Sequence, residues 1–300
     1  MLLNNNIFDA YSRNYLHYIS ITIILFKIII RTIKFSPCVC SAIRMSIIYL
    51  YILSLLQMIF RMTNTSILGV PTLKDLLQRI RSAYESAFNE ENSLWMKKYM
   101  KDQFDFFGIK TAERRRISKP FMQESRTLTL DDLEYLILEL WKQDERELQY
   151  LGAEMLQKNV DRLPGSGMAL IEALVTNKSW WDTVDALSAN TAGDLIRRFP
   201  ALVPSVTDAW IDSGNMWLQR SALLFQLKYK GKTNKELLFS YISRLSDSRE
   251  FFIQKAIGWA LREYSKTNPD DVVSFVASET LKPLSKREAL KVVQRKTKQV

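Results

Sequence analysis

Beyond residue 61 the chain holds no cysteine and no histidine; Cys38, Cys40 and His17 all precede that point. This absence excludes much chemistry. Residues 62–300 cannot carry a Ser-His-Asp or Cys-His nucleophile, a His/Cys zinc site or a disulfide framework. An enzyme built from them must work with Asp, Glu, Lys, Tyr or Arg, and no cofactor or metal is expected. The lack of disulfides fits a reducing compartment. Spanning-length apolar runs are missing too. The run Ser46–Phe60 has fifteen residues, short of the roughly 20 that cross a bilayer. Strand-like alternation of apolar and polar residues is also rare.

The first 61 residues differ in kind from the rest. They are rich in Ile, Leu, Tyr and Asn and nearly free of acid: Asp9 stands against Arg13, Lys27, Arg31, Lys34, Arg44 and Arg61. Three readings fit: a membrane anchor, an organelle-targeting peptide, or a translated upstream region with Met62 as the working start. Residues 1–61 are therefore set apart from a domain at 62–300. The whole chain carries a net charge of +10, divided evenly between the two parts. The larger part is moderately basic, which favours a polyanionic partner.

From Thr72 onward apolar residues recur at three- and four-residue spacing, the period of amphipathic helices. Thr129 before Leu130-Asp131-Asp132 resembles a capping box. Pro and Gly separate the periodic runs. The chain also repeats itself: Glu147–Lys158 aligns with Trp217–Lys228, and Trp217–Lys230 aligns with Phe252–Ser265. SWWDTVDAL fits between them in a looser register. A period near 35–40 with two helices per unit predicts an all-α fold, an α-solenoid of HEAT-like repeats with a concave basic face.

Shared apolar positions such as Leu218/Ile253 and Ala222/Ile257 read as core. Trp95, Trp141, Trp210 and Trp217 read as packing residues. Asp185 is the exception, falling in a column with Leu151, Ser221 and Ala256. Trp181 shares its helix face, and Trp259 and Arg262 share another. With Arg220, these five can converge where repeats stack. The plain alternatives are a carboxylate paired with an arginine or capping a helix, and arginines that are solvated or salt-bridged.

These stretches resemble a known family. SWWDTVD, WLQR, LFQLKYK, EFFIQKAIGWALREYSKTNPD and PLSKREA look like the bacterial AlkD-type DNA alkylation repair glycosylases, which are HEAT-like repeat proteins. WMKKYMKDQFDFFGIKTAERRR and ELWKQDERELQYLGAEMLQK extend the similarity over residues 73–293. The resemblance implies a monofunctional DNA glycosylase that hydrolyses the bond between deoxyribose and a 3- or 7-alkylated purine. It implies Asp185 as catalytic acid, with Trp181 and Trp259 as flanking aromatics. Arg220, Arg262, Lys228 and Tyr99 are implied DNA contacts. The partner would be double-stranded DNA containing alkylated purines, bound by a monomer inside the cell. Membrane contact enters only if residues 1–61 belong to the working protein.

The chemistry suits these residues. A ring-alkylated purine is cationic and leaves readily, so no strong general acid is needed. A fixed carboxylate stabilises the charge developing on the sugar and orients water. Indole faces attract cations, and arginines hold phosphates. A non-catalytic HEAT-like scaffold that binds branched DNA or a protein is the competing expectation, because fold alone does not fix function.

Overall fold

The computed structural model describes residues 72–297, which from Leu73 onward belong to one compact unit. Residues 1–61, with their three readings, lie outside the described residues. The described residues are helical, and their one β-type contact is an isolated bridge between Asp105 and Glu145. In chain order the helices are α1 (Leu73–Glu85), α2 (Glu90–Tyr99), α3 (Thr111–Glu124), α4 (Leu130–Lys142), α5 (Arg146–Lys158), α6 (Met168–Thr176) and α7 (Trp181–Ala186). A π-helical turn (Leu187–Ala192) leads into α8 (Gly193–Arg198). Then come α9 (Asp208–Asp212), α10 (Met216–Leu224), α11 (Lys235–Arg244), α12 (Phe251–Tyr264), α13 (Pro269–Ser278) and α14 (Pro283–Thr297). They form a solenoid-like stack. Among the described residues, no helix is long and apolar enough to cross a membrane.

Local signals start the helices where the sequence predicts. Thr129 caps α4 by accepting from the Asp132 amide at 3.1 Å, and its hydroxyl donates to Asp132 Oδ2 at 2.7 Å. Asn215 caps α10, accepting from the Trp217 and Leu218 amides. Capping satisfies amides that a helix start otherwise leaves unpaired.

One apolar core runs from Leu76 to Ala289. Trp141 and Trp210 are fully inside it, and each indole N–H still finds an acceptor, Asn177 O and Glu172 Oε2. Polar rungs tie successive repeats: Tyr84 to Ser118, Asn159 to Ser125, Thr191 to Gln157, Ser188 to Ser221 and Thr207 to Tyr241. Each joins residues 33 or 34 apart, as stacked units of nearly constant length require.

The repeat is stricter than the sequence alignment implies. α5, α7, α10 and α12 begin at Arg146, Trp181, Met216 and Phe251, which are 35 residues apart. In that register Leu148, Thr183, Leu218 and Ile253 are all buried, as are Gly152, Leu187, Ala222 and Ile257. Asp185 then shares its column with Tyr150, Arg220 and Lys255, and Ala186 occupies the column of Leu151, Ser221 and Ala256. The expected placement of Asp185 was off by one. It does not interrupt an apolar column but belongs to a polar one, along the edge where equivalent helices meet.

Candidate functional site

Asp185 sits in the last turn of α7, immediately before the π-helical segment. The widened turn is satisfied locally: Ser188 Oγ donates to Val184 O, and Asn190 Nδ2 donates to Ala186 O. Such single-turn π insertions occur often at functional sites. Gly193 allows the close pass that follows, because a Cβ there would stand 2.4 Å from Phe225 O.

Arg220 holds the Asp185 carboxylate with both arms. Nε donates to Oδ1 at 2.7 Å and Nη2 to Oδ2 at 2.9 Å. The remaining arm, Nη1, donates to Phe252 O at 2.5 Å. The Asp185 side chain keeps 15% exposure, while Arg220 keeps 5%. Burial pushes the Asp185 carboxyl above the usual carboxylate range; Arg220 opposes this, and the nearby Asp182 adds to it. The result is a carboxylate oriented by a buried guanidinium and still reachable from one side.

The family likeness implies a DNA contact at Arg220; in this structure its side chain faces the protein. Its fork is engaged by Asp185 and a backbone carbonyl within the protein. The physical reason is a bidentate match: a guanidinium one repeat away is better satisfied by a carboxylate and a carbonyl than by water. Its floor is aromatic. Trp180, Trp217 and Phe252 have ring centroids 5.0–5.9 Å apart.

The first aspartate of the WWDTVD stretch carries a second pair that sequence reasoning missed. Arg146, fully buried, donates to Asp182 through Nε (2.9 Å) and Nη2 (2.6 Å), and also to Lys178 O and Thr183 Oγ1. Tyr150 donates its hydroxyl to Asp182 at 2.7 Å. This cluster anchors the start of α7 and so fixes where Trp181 and Asp185 point. The available signal was a second carboxylate in the same motif.

Trp181 meets Tyr99 edge-on, with ring centroids 6.3 Å apart and planes at 77°. Tyr99 in turn stacks on Trp95 at 5.5 Å and 7°. Trp95 contradicts expectation: it is not a packing residue but is 66% exposed. Trp217 packs as expected. Trp259 lies half-buried against the core on α12, one turn before Arg262.

Arg262 donates to Glu288 Oε2 on α14 at 2.9 Å, and Lys255 and Lys291 reach the same carboxylate. Gly258 makes this approach possible, since a Cβ there would come within 2.4 Å of Glu288 Cβ. Lys291, the strongest influence, and Lys255 hold the Glu288 carboxyl down at about 2 against the opposing effect of burial. Lys228 is tied to Asn190 Oδ1. The structure thus joins Asp185 to Arg220 and Trp181 to Tyr99, and it sets Arg262 in a separate cationic cluster around Glu288. No group of three or more His, Cys, Asp or Glu side chains able to hold a metal occurs among the described residues.

A cavity of about 120 Å³ lies between α10, α11 and α12, lined by Leu223, Leu238, Ala260 and Tyr264 among others. Neither Asp185, Trp181 nor Trp259 lines it.

The family model described as "DNA alkylation repair enzyme" matches residues 80–293. A solved structure described as a predicted DNA alkylation repair enzyme from Enterococcus faecalis is 38% identical. The match covers 68% of this chain and 95% of that one, with a TM-score of 0.65. The smu.31 structure from Streptococcus mutans UA159 is 16% identical, covering 59% of this chain and 96% of that one, at a TM-score of 0.48. No curated protein matches.

Proposed function

We propose, from the premise that the chain belongs to the DNA alkylation repair enzyme family, that it is a monofunctional DNA glycosylase acting on cationic 3- or 7-alkylpurines in duplex DNA. One observation carries this reading: a carboxylate, Asp185, gripped by Arg220 through two hydrogen bonds and open on one side beside an aromatic edge.

The reaction follows from charge. The bond between C1′ and the ring nitrogen breaks, its electron pair neutralises the cationic base, and the sugar becomes oxocarbenium-like. The Asp185 carboxylate stabilises that charge and orients the water whose oxygen bonds to C1′. The proton lost by water passes to the carboxylate or to solvent. Arg220 opposes the cost that burial puts on the ionised carboxylate, and it fixes the direction of the group. Trp181 and Trp259 offer indole faces, each worth about 0.5–2 kcal/mol toward a cation, which favours the lesion over a neutral base. Arg262 and Lys228 serve the strand backbone, with Lys255 and Lys291 sharing the Glu288 carboxylate beside Arg262.

The cavity between α10, α11 and α12 is lined by none of Asp185, Trp181 or Trp259, which favours approach to the lesion from the sugar side without insertion of the base into that cavity. Base release from methylated duplex, measured with the unmutated chain and with Asp185→Asn, tests the reading. Loss of release with DNA binding kept is the expected result. Binding without release by the unmutated chain would instead support a non-catalytic scaffold.

A further inference from the structure

Helix α2 is unlike its neighbours. It buries no residue, yet it carries Leu94, Trp95 and Tyr99 at 64%, 66% and 58% exposure. Large apolar side chains left in water are informative when they cluster. Polar ties secure the helix instead of burial. Asn89 accepts from the Asn92 amide, Ser93 donates its hydroxyl to Phe106 O, and Lys97 pairs with Asp105 at 2.6 Å. The backbone of Asn89 also donates to Phe107 O. Gly108, at φ +80, lets that segment close against Asn89, since a Cβ there would lie 2.1 Å from Asn89 O. Apart from the Asn89–Asn92 cap, these ties join α2 to residues 105–108. On the aromatic side Tyr99 meets Trp181, and Trp95 stays exposed.

The exposed rings are also ordered. Trp95 and Tyr99, one turn apart, lie within 7° of parallel. Tyr99 presents its ring to the edge of Trp181, and Trp181 is one helical turn from Asp185. The three rings form a stripe that ends at the candidate catalytic carboxylate. Lys98 and Lys101, on either side of Tyr99, are exposed and suit a phosphate backbone running along the stripe.

We infer that Trp95 and Tyr99 form a stacking platform for a nucleobase that has left the helical stack of DNA bound at Asp185. This rests on the glycosylase reading for the position of the DNA. Every base has a π-face, so a flat, exposed, ordered indole accepts an unstacked base of any sequence. Continuity with the Asp185 site and the flanking lysines favour DNA over a protein partner. A platform of this kind stabilises distorted duplex over intact duplex, because only distorted duplex has a base free to stack.

The test uses the full chain carrying Asp185→Asn, with undamaged DNA, so that no step depends on base release. Affinity is measured by fluorescence anisotropy for a duplex with one unpaired adenine and for its fully paired counterpart. Trp95→Ala is expected to reduce the preference for the bulged duplex by about tenfold, the scale of losing one base–aromatic stack. Trp95→Phe is expected to keep most of it. With 2-aminopurine as the unpaired base, binding should quench its fluorescence in the parent and less so in Trp95→Ala.

An unchanged preference in Trp95→Ala overturns the platform, and so does an equal loss for both duplexes. A parent that sediments as a dimer, with Trp95→Ala monomeric, overturns it in favour of contact between copies. Trp95 makes no core contact to lose, and an unchanged helical circular dichroism spectrum confirms that the variant is folded. Base release from methylated duplex by the unmutated chain is scored separately, so failure of the catalytic reading and failure of the platform are distinguishable.

Discussion

Two arginine–carboxylate contacts, one between α7 and α10 and one between α12 and α14, use the same groups to opposite ends. At the first, a single guanidinium faces Asp185, and burial outweighs it, so the carboxyl sits above its ordinary range. At the second, Glu288 is surrounded by Lys291, Lys255 and Arg262, and its carboxyl falls to about 2. Ion-pair count alone would rank them alike in kind. The balance between desolvation and the number of cations decides which carboxyl is raised and which is lowered. The Glu288 cluster also keeps a surplus of positive charge, as a phosphate contact would need.

The comparison can be broken most directly at Arg220. Arg220→Met strands a buried carboxylate and should cost about 3–5 kcal/mol of stability, read as a shift in the denaturant midpoint. If the loss is negligible, Asp185 is better solvated than its 15% exposure implies. Asp185→Asn should lower base release by roughly 10²–10³-fold, the scale seen when a transition-state electrostatic contact is removed, with DNA affinity largely retained. Single-turnover release assays on methylated duplex decide this.

Gly258→Ala probes the second contact. Its Cβ would collide with Glu288 Cβ, so α12 and α14 must separate, at a cost of about 1–3 kcal/mol. Thermal unfolding checks it, and salt-dependent DNA affinity should weaken as the cations lose their common anchor.

The pH dependences sharpen the contrast because their signs differ. Glu288 has a lowered carboxyl, so its contribution to stability is present above the ordinary carboxylate range and is lost as pH falls from there toward about 2. Glu288→Gln should flatten that acid limb in denaturation curves. Asp185 has a raised carboxyl, so its contribution is fully present below the unfolded value and is lost as pH rises through the folded one. For the proposed activity the ionised form is needed. Base release should therefore fall off on the acid side at a pH above that of an ordinary carboxylate, and a limb at the ordinary value would contradict the burial of Asp185.

Much of this was legible before any fold was known. Helical periodicity, punctuation by Pro and Gly, and a repeat near 35 residues are local properties, so they read directly from composition and spacing. The core positions Leu218, Ile253, Ala222 and Ile257 were legible for the same reason. The site was legible in part: the aromatic-flanked Asp185 stands out, but its column was misassigned by one residue. A one-residue slip barely changes an apolar pattern that tolerates substitution, yet it exchanges the polar neighbours Tyr150, Arg220 and Lys255 for Leu151, Ser221 and Ala256. The Arg146–Asp182–Tyr150 cluster went unread because Arg146 and Tyr150 lie more than 30 residues from Asp182 and none is unusual alone.

From its residues alone the chain determines that it stacks amphipathic helices in a regular repeat and that any chemistry of residues 62–300 proceeds without histidine or cysteine. Tertiary structure decided what each functional side chain faces. Whether Arg220 points to solvent or to Asp185, and whether Trp95 is buried or offered to a ligand, depends on which neighbouring helix arrives at that face. Burial and pairing across repeats are set by contacts distant in the chain, and spacing along one helix does not encode them.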